Sequence, residues 1–563
     1  MTTPGQFTLR SQQLGPLPVI NFFLARMGLA GHLGTYLPHN DARLRLAPAS
    51  VIAVLVRNIM TGHRPVYALG EWAAPYDPAV LGLGPGDAGA LNDDRVGRML
   101  DRLFDADRAS LLTATVLGVI RDFGIETSQL HNDSTTVTVS GDYPDADGRT
   151  RAGKPTPAIR QGHNKDFRPD LKQLLFILTV AADGAVPIAY RVADGNTPDD
   201  ATHIPTWDEL AALVGRADFL YVADSKLCSK QAMGHIAAHG GRFVTVVPNG
   251  RREDTWFRDW AQTHAPTWVE ARRAPGARLG EPDRIWRTFE APAPSVDGYR
   301  VIWVHSSSKA ARDAATRATR IEAGLAAIDA LGARLASPKT RIKTKIAAEA
   351  AATAALANAG ATRWVGFTIT ETPQLTYHQE RRGHPASHTR YRRTATPAFT
   401  ITAAIHAHNL AYDAATDGCF PTITNDTAMT PAQILHAYRY QPNLERRHHL
   451  LKGPQHVAPV YLETAHRIEA LLLCHFLAML TEALIEREIR TTMKTQGLTG
   501  IPLYPELRNC PAPSAPRILE IFNDVQRHHL ISEEQTVQTF QPQPTPLQQQ
   551  ILDLLHIPAS VYT

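Results

Sequence analysis

Three acidic residues have the surroundings that metal-dependent chemistry would require. Asp133 precedes a strand-like run at residues 135–140, Asp224 ends a short apolar run at residues 219–223, and Glu445 lies on a predicted helix. Two divalent ions about 4 Å apart can hold the attacking and leaving oxygens of a phosphodiester, and a few carboxylates suffice to bind Mg²⁺. If two strands and a helix bring these side chains together, they could support hydrolysis or exchange of a phosphodiester.

Each acid also has an ordinary explanation. Aspartate often ends a strand because its side chain forms turns, which would account for Asp133 and Asp224 taken singly. On the predicted helix, Glu445 shares one face with His449 and Lys452, which lie four and seven residues further on. A lone carboxylate among basic residues is either an ion-pair partner or a metal ligand beside bound phosphates, and spacing alone favours the ion pair.

Basic charge is concentrated in the second half of the chain, although the net charge is only +4. Residues 377–393 contain a single acid, Glu380, and five arginines, which are Arg381, Arg382, Arg390, Arg392 and Arg393. Residues 435–452 contain a single acid, Glu445, and four basic residues, which are Arg439, Arg446, Arg447 and Lys452. Such clusters can neutralise phosphates, and a solvated arginine-rich face is the alternative.

Composition narrows the class of protein. With 44% hydrophobic and 20% charged residues, the 563-residue chain is typical of a soluble globular protein with several structural units. The four cysteines form no CxxC pair, which argues against a zinc site or a disulfide framework and favours a cytoplasmic location. The most apolar helix, near residues 468–480, is predicted to be too short and too interrupted to span a bilayer, so no membrane partner is expected.

Periodicity predicts helices first and a sheet afterwards. Residues 1–125 are predicted to be helical, with Asn92 capping one helix and Gly124 ending another. From residue 130, strands predominate, and Asp183-Gly184 between two apolar runs predicts a hairpin. Short strands then alternate with helices as far as residue 247, which indicates an α/β or mixed sheet with helical cover.

The next segment is too long for a loop. Residues 248–400 contain strand-like runs around Trp286, Trp303 and Trp364 and two alanine-rich helices, so they predict an inserted domain. Helices resume at Pro431, and the Gln/Pro-rich tail after Thr536 is predicted to be loose. The predicted regions are 1–125 (helical, DNA-binding), 126–250 (first part of the core), 251–400 (insertion), 401–455 (second part of the core) and 456–563 (helical, with the loose tail).

Several separated motifs carry a family resemblance. Tyr438, Gln441, Glu445 and Lys452 follow the spacing Tyr, two residues, Arg, three residues, Glu, six residues, Lys, with glutamine in place of the arginine. This spacing resembles the third-acid region of the YREK-bearing group of DDE insertion-sequence transposases related to insertion sequence four. Segments 131–136 and 221–226 look like that family's first and second acid regions, and segments 162–173, 195–199 and 417–420 resemble other stretches of it in the same order.

The resemblance implies a fold and an activity. The fold would be α/β, a ribonuclease-H-like mixed sheet with flanking helices, an inserted α+β domain, and helical N- and C-terminal regions. Asp133, Asp224 and Glu445 would be the catalytic residues and the ligands of two Mg²⁺ ions, for which Mn²⁺ can substitute. The activity would be Mg²⁺-dependent DNA strand cleavage and strand transfer at the ends of the protein's own insertion sequence.

The resemblance also implies partners. These would be the terminal inverted repeats of the element, target DNA and a second copy of the chain in a synaptic homodimer, in a bacterial-type cytosol or nucleoid. The residues expected to contact DNA are Tyr438, Gln441, Lys452, Arg439, Arg446, Lys165 and Arg168. A solvated loop is an equal alternative for Lys165 and Arg168. Trp303 and Trp364 are candidates for stacking on a flipped base, with a core position as the alternative. A nuclease of the same fold that cuts without joining, and a DNA-binding protein derived from a transposase, remain the other hypotheses.

Overall fold

The computed structural model describes residues 7–563 except 40, 42, 63, 277, 279, 459 and 507. The chain divides into two compact units, the first comprising Met1–Thr245 and His436–Thr563 and the second Val246–Leu435. All three candidate acids lie in the first unit. The second unit extends beyond the predicted insertion of residues 251–400 and includes residues 401–435, which the sequence had assigned to the core.

The strands are β1 (Phe7–Gln13), β2 (Gln129–Val139), β3 (Thr150–Arg151), β4 (Lys154–Pro155), β5 (Lys172–Ala181), β6 (Pro187–Asp194), β7 (Leu220–Val222), β8 (Arg242–Val246), β9 (Val269–Ala274), β10 (Arg284–Glu290), β11 (Arg300–Ser306), β12 (Val365–Gln379), β13 (Tyr391–Ile405), β14 (Cys419–Thr424), β15 (Gln526–Ser532) and β16 (Gln535–Phe540). The α-helices are α1 (Leu17–Arg26), α2 (Leu29–Tyr36), α3 (Pro48–Thr61), α4 (Leu69–Ala73), α5 (Pro78–Leu81), α6 (Asp93–Asp105), α7 (Arg108–Phe123), α8 (His203–Val214), α9 (Lys230–Ala238), α10 (Arg252–Trp260), α11 (Ser307–Ala336), α12 (Lys345–Asn358), α13 (Ala407–Ala414), α14 (Pro431–Tyr438), α15 (Gln441–Lys452), α16 (Ala465–Thr495), α17 (Ala515–Glu520) and α18 (Pro546–Leu554).

The first unit is built on a mixed sheet, in which the strands follow the order β6-β5-β2-β7-β8. Strand β5 pairs antiparallel with β2 and with β6, and the predicted turn at Asp183-Gly184 connects β5 to β6. Strand β7 runs parallel to β2 and to β8, and parallel neighbours need a crossover connection. Helix α8 leads into β7 and α9 into β8, as the alternation of patterns predicted. The prediction of a mixed α/β sheet with helical cover is therefore confirmed.

Helix α16 packs against α3, α6 and β6 in the first unit. Tyr190 of β6 stacks on Phe476 of α16, with ring centroids 4.8 Å apart. Within the described residues, α16 is one helix that is long and apolar enough to cross a membrane, and 89% of its most apolar window is buried inside the protein. The prediction that this helix is too short to span a bilayer is wrong about length, because the helix continues for 31 residues.

The N-terminal helices α3, α6 and α7 form where the sequence predicted them. The Asn92 side chain accepts a hydrogen bond from the Arg95 backbone N–H at 2.9 Å and caps α6, and Gly124 ends α7 in the left-handed region. The terminal regions are not purely helical, however, because β1, β15 and β16 form a three-stranded antiparallel sheet. The tail after Thr536 also contains the buried helix α18, so the prediction of a loose tail is wrong.

The second unit contains strands β14-β11-β10-β9, paired antiparallel in that order, and the long hairpin β12–β13. Helices α11 and α12 pack against the root of the hairpin around Ile328, Leu356 and Phe399. Trp303 is fully buried and stacks on Phe257 with ring centroids 3.6 Å apart, so it belongs to the core and cannot receive a flipped base in this structure.

Candidate active site

Asp133 and Asp224 lie at the same level of two neighbouring parallel strands. In the register of β2 and β7, His131 is opposite Val222, and each acid follows two residues later. The sequence had suggested that Asp133 lies at the start of its strand. It lies inside β2 instead, because the strand begins at Gln129. Asp224 lies just past the end of β7. Neighbouring parallel strands therefore present the two acids at one edge, where α/β sheets usually hold ligands.

Helix α15, which carries Glu445, is attached to β2 by Gln441. The Gln441 Nε2 donates to the Asn132 backbone oxygen at 3.0 Å, and the His131 Nδ1 lies 2.9 Å from the Gln441 Oε1. Burial lowers the pKa of His131 to about 4, so the ring is neutral and its Nδ1–H can donate to the Gln441 oxygen. Because Asn132 precedes Asp133, this contact places the first turn of α15 beside the first acid, with the exposed Glu445 one turn later.

The Tyr438 phenol on α14 feels the negative charges of all three candidate acids. Burial raises the pKa of its phenol to about 12, and the negative charges of Asp224, Glu445 and Asp133 raise the pKa as well. The three carboxylates thus lie in one electrostatic neighbourhood. As they stand, however, no three His, Cys, Asp or Glu side chains within the described part of the chain are close enough together to hold a metal ion.

Burial dominates the electrostatics of the Asp133 carboxyl. Its side chain is 21% exposed, and burial is the main cause that raises its pKa to about 7. The charges of Asp224 and Asp199 raise this pKa as well, and that of Lys165 opposes them. Elevated carboxyl pKa values in a cleft are typical of functional sites. Burial, more than the neighbouring acids, therefore disfavours the charged form of Asp133, and Lys165 is the strongest opposing influence.

Lys165 lies among these acids. Its Nζ is 3.3 Å from the Asp199 Oδ2 and 3.9 Å from the Asp133 Oδ1, and it donates to the Ser134 backbone oxygen at 2.7 Å. The Ser134 hydroxyl donates in turn to the Asp199 Oδ1 at 2.7 Å. The sequence had placed Lys165 on DNA. The structure instead places its ammonium group between the Asp199 and Asp133 carboxylates.

The other residues expected on DNA differ in their surroundings. The Lys452 Nζ is 2.5 Å from the Asp166 Oδ1, an ion pair across 286 residues that no local pattern could indicate. Arg168 is exposed and forms a bidentate pair with Asp170, at 2.9 and 2.7 Å. Arg446 is exposed and Arg439 is half-buried.

His448 is a site residue that the sequence did not single out. Its Nδ1 is 3.7 Å from the Asp133 Oδ2, and burial lowers its pKa to about 3, so the ring is neutral. Its buried Nε2 has no hydrogen-bond partner within the part of the chain that the structure describes. His448 follows Gln441 by seven residues and Glu445 by three, a helical spacing that could have placed it on the same face.

Gln441 has a structural position rather than a DNA-contacting one. The residue is only 6% exposed, and both ends of its amide are hydrogen-bonded within the protein. We therefore no longer expect it to contact DNA, and a substitution should act through the position of α15.

Replacing Gln441 by leucine is expected to lower the free energy of unfolding by about 2 kcal/mol, because it leaves the His131 Nδ1–H and the Asn132 carbonyl buried without their partner. Urea denaturation followed by circular dichroism measures the change. An unchanged denaturation midpoint would contradict this role for the amide.

Two comparisons with known proteins found similarities to this chain. Residues 9–117 match a family model described as a domain of unknown function, DUF4277. This domain occurs in transposase-like proteins. The matched segment runs from β1 to α7, all in the first unit. A search of curated proteins found no match to this chain.

One solved structure with partial similarity is titled a cryo-EM structure of a piggyBac transposase synaptic complex with hairpin DNA. The alignment has 12% sequence identity and a TM-score of 0.28, and it covers 53% of this chain. The chain spans 63% of the length of the chain in that structure. A TM-score this low does not establish a shared fold.

Proposed function

We propose that this protein is a transposase of the DDE type, which cleaves DNA strands at the ends of its own element and transfers them. The observation that carries the proposal is the placing of three carboxylates on converging elements, Asp133 on β2, Asp224 after β7 and Glu445 on α15. Ribonuclease-H-like cores place their acids in this way, and the strand order β6-β5-β2-β7-β8 supports such a core. The DUF4277 match to transposase-like proteins agrees with the proposal.

The donor types suit divalent metal ions, since three carboxylates supply the oxygen ligands that Mg²⁺ prefers. Within the described residues these side chains are not close enough together to hold an ion, and because burial raises the pKa of Asp133, a bound cation would favour its charged form. Asp133, Asp224 and Glu445 would hold the ions. When bound, Mg²⁺ supplies charge neutralisation at the phosphate and an activated nucleophile.

The chain's own side chains would position the DNA. With its pKa raised to about 12, the Tyr438 phenol stays protonated at neutral pH and can donate a hydrogen bond to a phosphate oxygen. Lys165 competes with a metal ion for Asp133 and Asp199, and it can pair with a phosphate once these acids are neutralised. Gln441 and His448 lie on the face of α15 that adjoins Asp133, so they position that helix and the carboxylate.

The test is metal-dependent cleavage of DNA that carries the element's own end, taken from the sequence flanking the gene. We expect the wild type to nick this DNA in Mg²⁺ or Mn²⁺ and not in EDTA. Glu445→Gln and Asp224→Asn should bind the DNA without cutting it, whereas Glu463→Gln, which alters an exposed acid elsewhere in the first unit, should cut normally. Cleavage by the two site variants at the wild-type rate would refute the assignment.

A second candidate is a DNA-binding protein derived from a transposase. The contacts of Lys165 with Asp133 and Asp199 favour it, because an internal cation already offsets part of the charge that a metal ion would neutralise. The same experiment separates the two functions, since this candidate binds DNA and cuts it in neither metal. A nuclease that does not join strands would nick the DNA and yield no strand-transfer product.

A further inference from the structure

The hairpin β12–β13 extends well beyond the core of the second unit. Its root packs through Val365, Ile369 and Phe399 against α11 and α12. Beyond Ile369 and Phe399, nearly every side chain is exposed as far as the tip. From Thr370, which pairs with Thr400, the ladder continues for ten residue pairs, roughly 30 Å at the usual rise of a strand. We name residues 370–400 the arm.

The distal half of the arm carries concentrated positive charge. Its five arginines are Arg381, Arg382, Arg390, Arg392 and Arg393, and Glu380 is the only acid between residues 377 and 393. Within the described residues, none of these five guanidinium groups forms an ion pair or a hydrogen bond. By contrast, Arg363 of the same unit forms two hydrogen bonds with the Asp413 carboxylate, at 2.7 and 2.8 Å. The arm therefore carries charge that no described residue of the chain pairs with.

The strand register distributes this charge over both faces of the arm. Arg393 is opposite Tyr377, and Arg392 is opposite His378, so that consecutive arginines point to opposite faces. Tyr377 and Tyr391 are 60% and 49% exposed beside Arg393. A two-stranded ribbon fits the major groove of B-form DNA, where phosphates line both walls. Positive charge on both faces matches such a groove better than it matches a flat acidic surface.

A pair of prolines argues against a protein strand as the partner. Pro373 is opposite Pro397 in the half of the arm nearer its root, so each strand lacks a backbone N–H donor there. An added strand would lose ladder hydrogen bonds at this level, and charged side chains near the edges also oppose strand addition. The charge and the shape together favour nucleic acid.

We propose that the arm binds duplex DNA, with its ribbon in a groove and its arginines on the flanking phosphates. The arm belongs to the second unit and the candidate active-site residues to the first, and the inference rests on the proposed function only in that both take DNA. Phosphate contacts of this kind give affinity that is independent of base sequence and falls steeply with salt.

The experiment measures binding of the full chain to a fluorescently labelled duplex of random sequence, about 30 base pairs long, at about 50 to 200 mM salt. The arm variant combines Arg390→Gln, Arg392→Gln and Arg393→Gln. The control variant combines Arg312→Gln, Arg320→Gln and Arg334→Gln, which removes the same charge from exposed positions along α11. Circular dichroism verifies that both variants are folded.

We expect the arm variant to lose affinity about tenfold or more and to reduce the salt dependence, the slope of log K against log salt, by about 2 to 3. The control should change affinity by less than about twofold. Equal losses in the two variants would refute the proposal, as would a loss confined to single-stranded DNA of the same length.

Cleavage, measured separately, distinguishes the two proposals. If the arm variant loses binding and the wild type does not cut, the arm inference stands and the catalytic proposal fails. If the wild type cuts and the arm variant binds duplex DNA normally, only the arm inference fails.

Discussion

Replacing Asp133 by asparagine is expected to stabilise the metal-free protein while it abolishes metal-dependent cleavage. The pKa of Asp133 is raised from 3.8 to about 7, mainly because burial disfavours its charged form. For an acid with a raised pKa in the folded state, folding favours the protonated form. Stability is therefore lost as the pH rises from 3.8 to about 7, and the loss is complete above that range.

Asparagine is neutral at every pH and has nearly the shape of aspartate. At pH 8 we expect Asp133→Asn to raise the free energy of unfolding by about 2 to 4 kcal/mol, and the gain should shrink by about 1 to 2 kcal/mol on going to pH 5.5. Urea denaturation in EDTA at several pH values measures both quantities. Asp170→Asn is the matched control, since Asp170 is exposed and its pKa is lowered by Arg168, so no gain is expected.

The rate of DNA cleavage by Asp133→Asn should fall, although its stability rises. If Asp133 is a metal ligand, as proposed above, its replacement is expected to slow strand cleavage at least a thousandfold, about 4 kcal/mol in the barrier. If Asp133→Asn lost stability at every pH, attraction to Lys165 would outweigh the cost of burial, and burial would not be the dominant influence on this carboxyl. Stability gained together with activity lost is the usual behaviour of residues held for function.

Local sequence patterns were sufficient to predict most helices and strands of the first unit. The cap at Asn92, the turn at Asp183-Gly184 and the glycine at position 124 each fix the chain over a few residues, and the structure has them as predicted. The Gln/Pro-rich tail was mispredicted because its composition resembles that of a linker. Ile551 and Leu552 of α18 nevertheless give that segment an apolar face, which is fully buried.

The acids of the candidate site were proposed from the sequence and stay a prediction, whereas their contacts could not be derived from it. Family motifs indicated Asp133, Asp224 and Glu445, and the sheet register places the first two at one level. The partners of Gln441 lie about 310 residues away in the sequence, and no helical or strand periodicity extends so far. For the same reason, Lys165 and Lys452 were predicted to meet DNA, although the fold gives both of them carboxylate partners.

Arg447 belongs to a basic cluster in the sequence but is buried in the fold. The sequence grouped it with residues that neutralise phosphates, yet it is only 4% exposed. Its guanidinium donates to the backbone oxygens of Gly184 and Ala185, each at 3.0 Å, and its Nη1 is 2.9 Å from the Glu486 Oε2. One side chain thus joins α15, the β5–β6 turn and α16. The arginine holds the helix of Glu445 rather than the DNA.

Arg447→Ala is therefore expected to lower the free energy of unfolding by about 3 to 4 kcal/mol, one of the largest effects of any single substitution here. It leaves two carbonyls without donors and a buried carboxylate with less compensation, and breaking such a pair from one side is strongly destabilising. Arg446→Ala, at the adjacent exposed position, should cost less than about 0.5 kcal/mol. Urea denaturation compares the two.

Hydrogen exchange adds a readout that is specific to position. If Arg447 holds α15 in place, Arg447→Ala should speed amide exchange in α15 and in the β5–β6 turn before it does so in β1 or β15, since local opening follows lost contacts. Equal destabilisation by both arginine variants would instead mean that charge, and not the buried hydrogen bonds, stabilises the helix. Either result also bears on the proposed site, because α15 carries Glu445 and contacts β2 through Gln441.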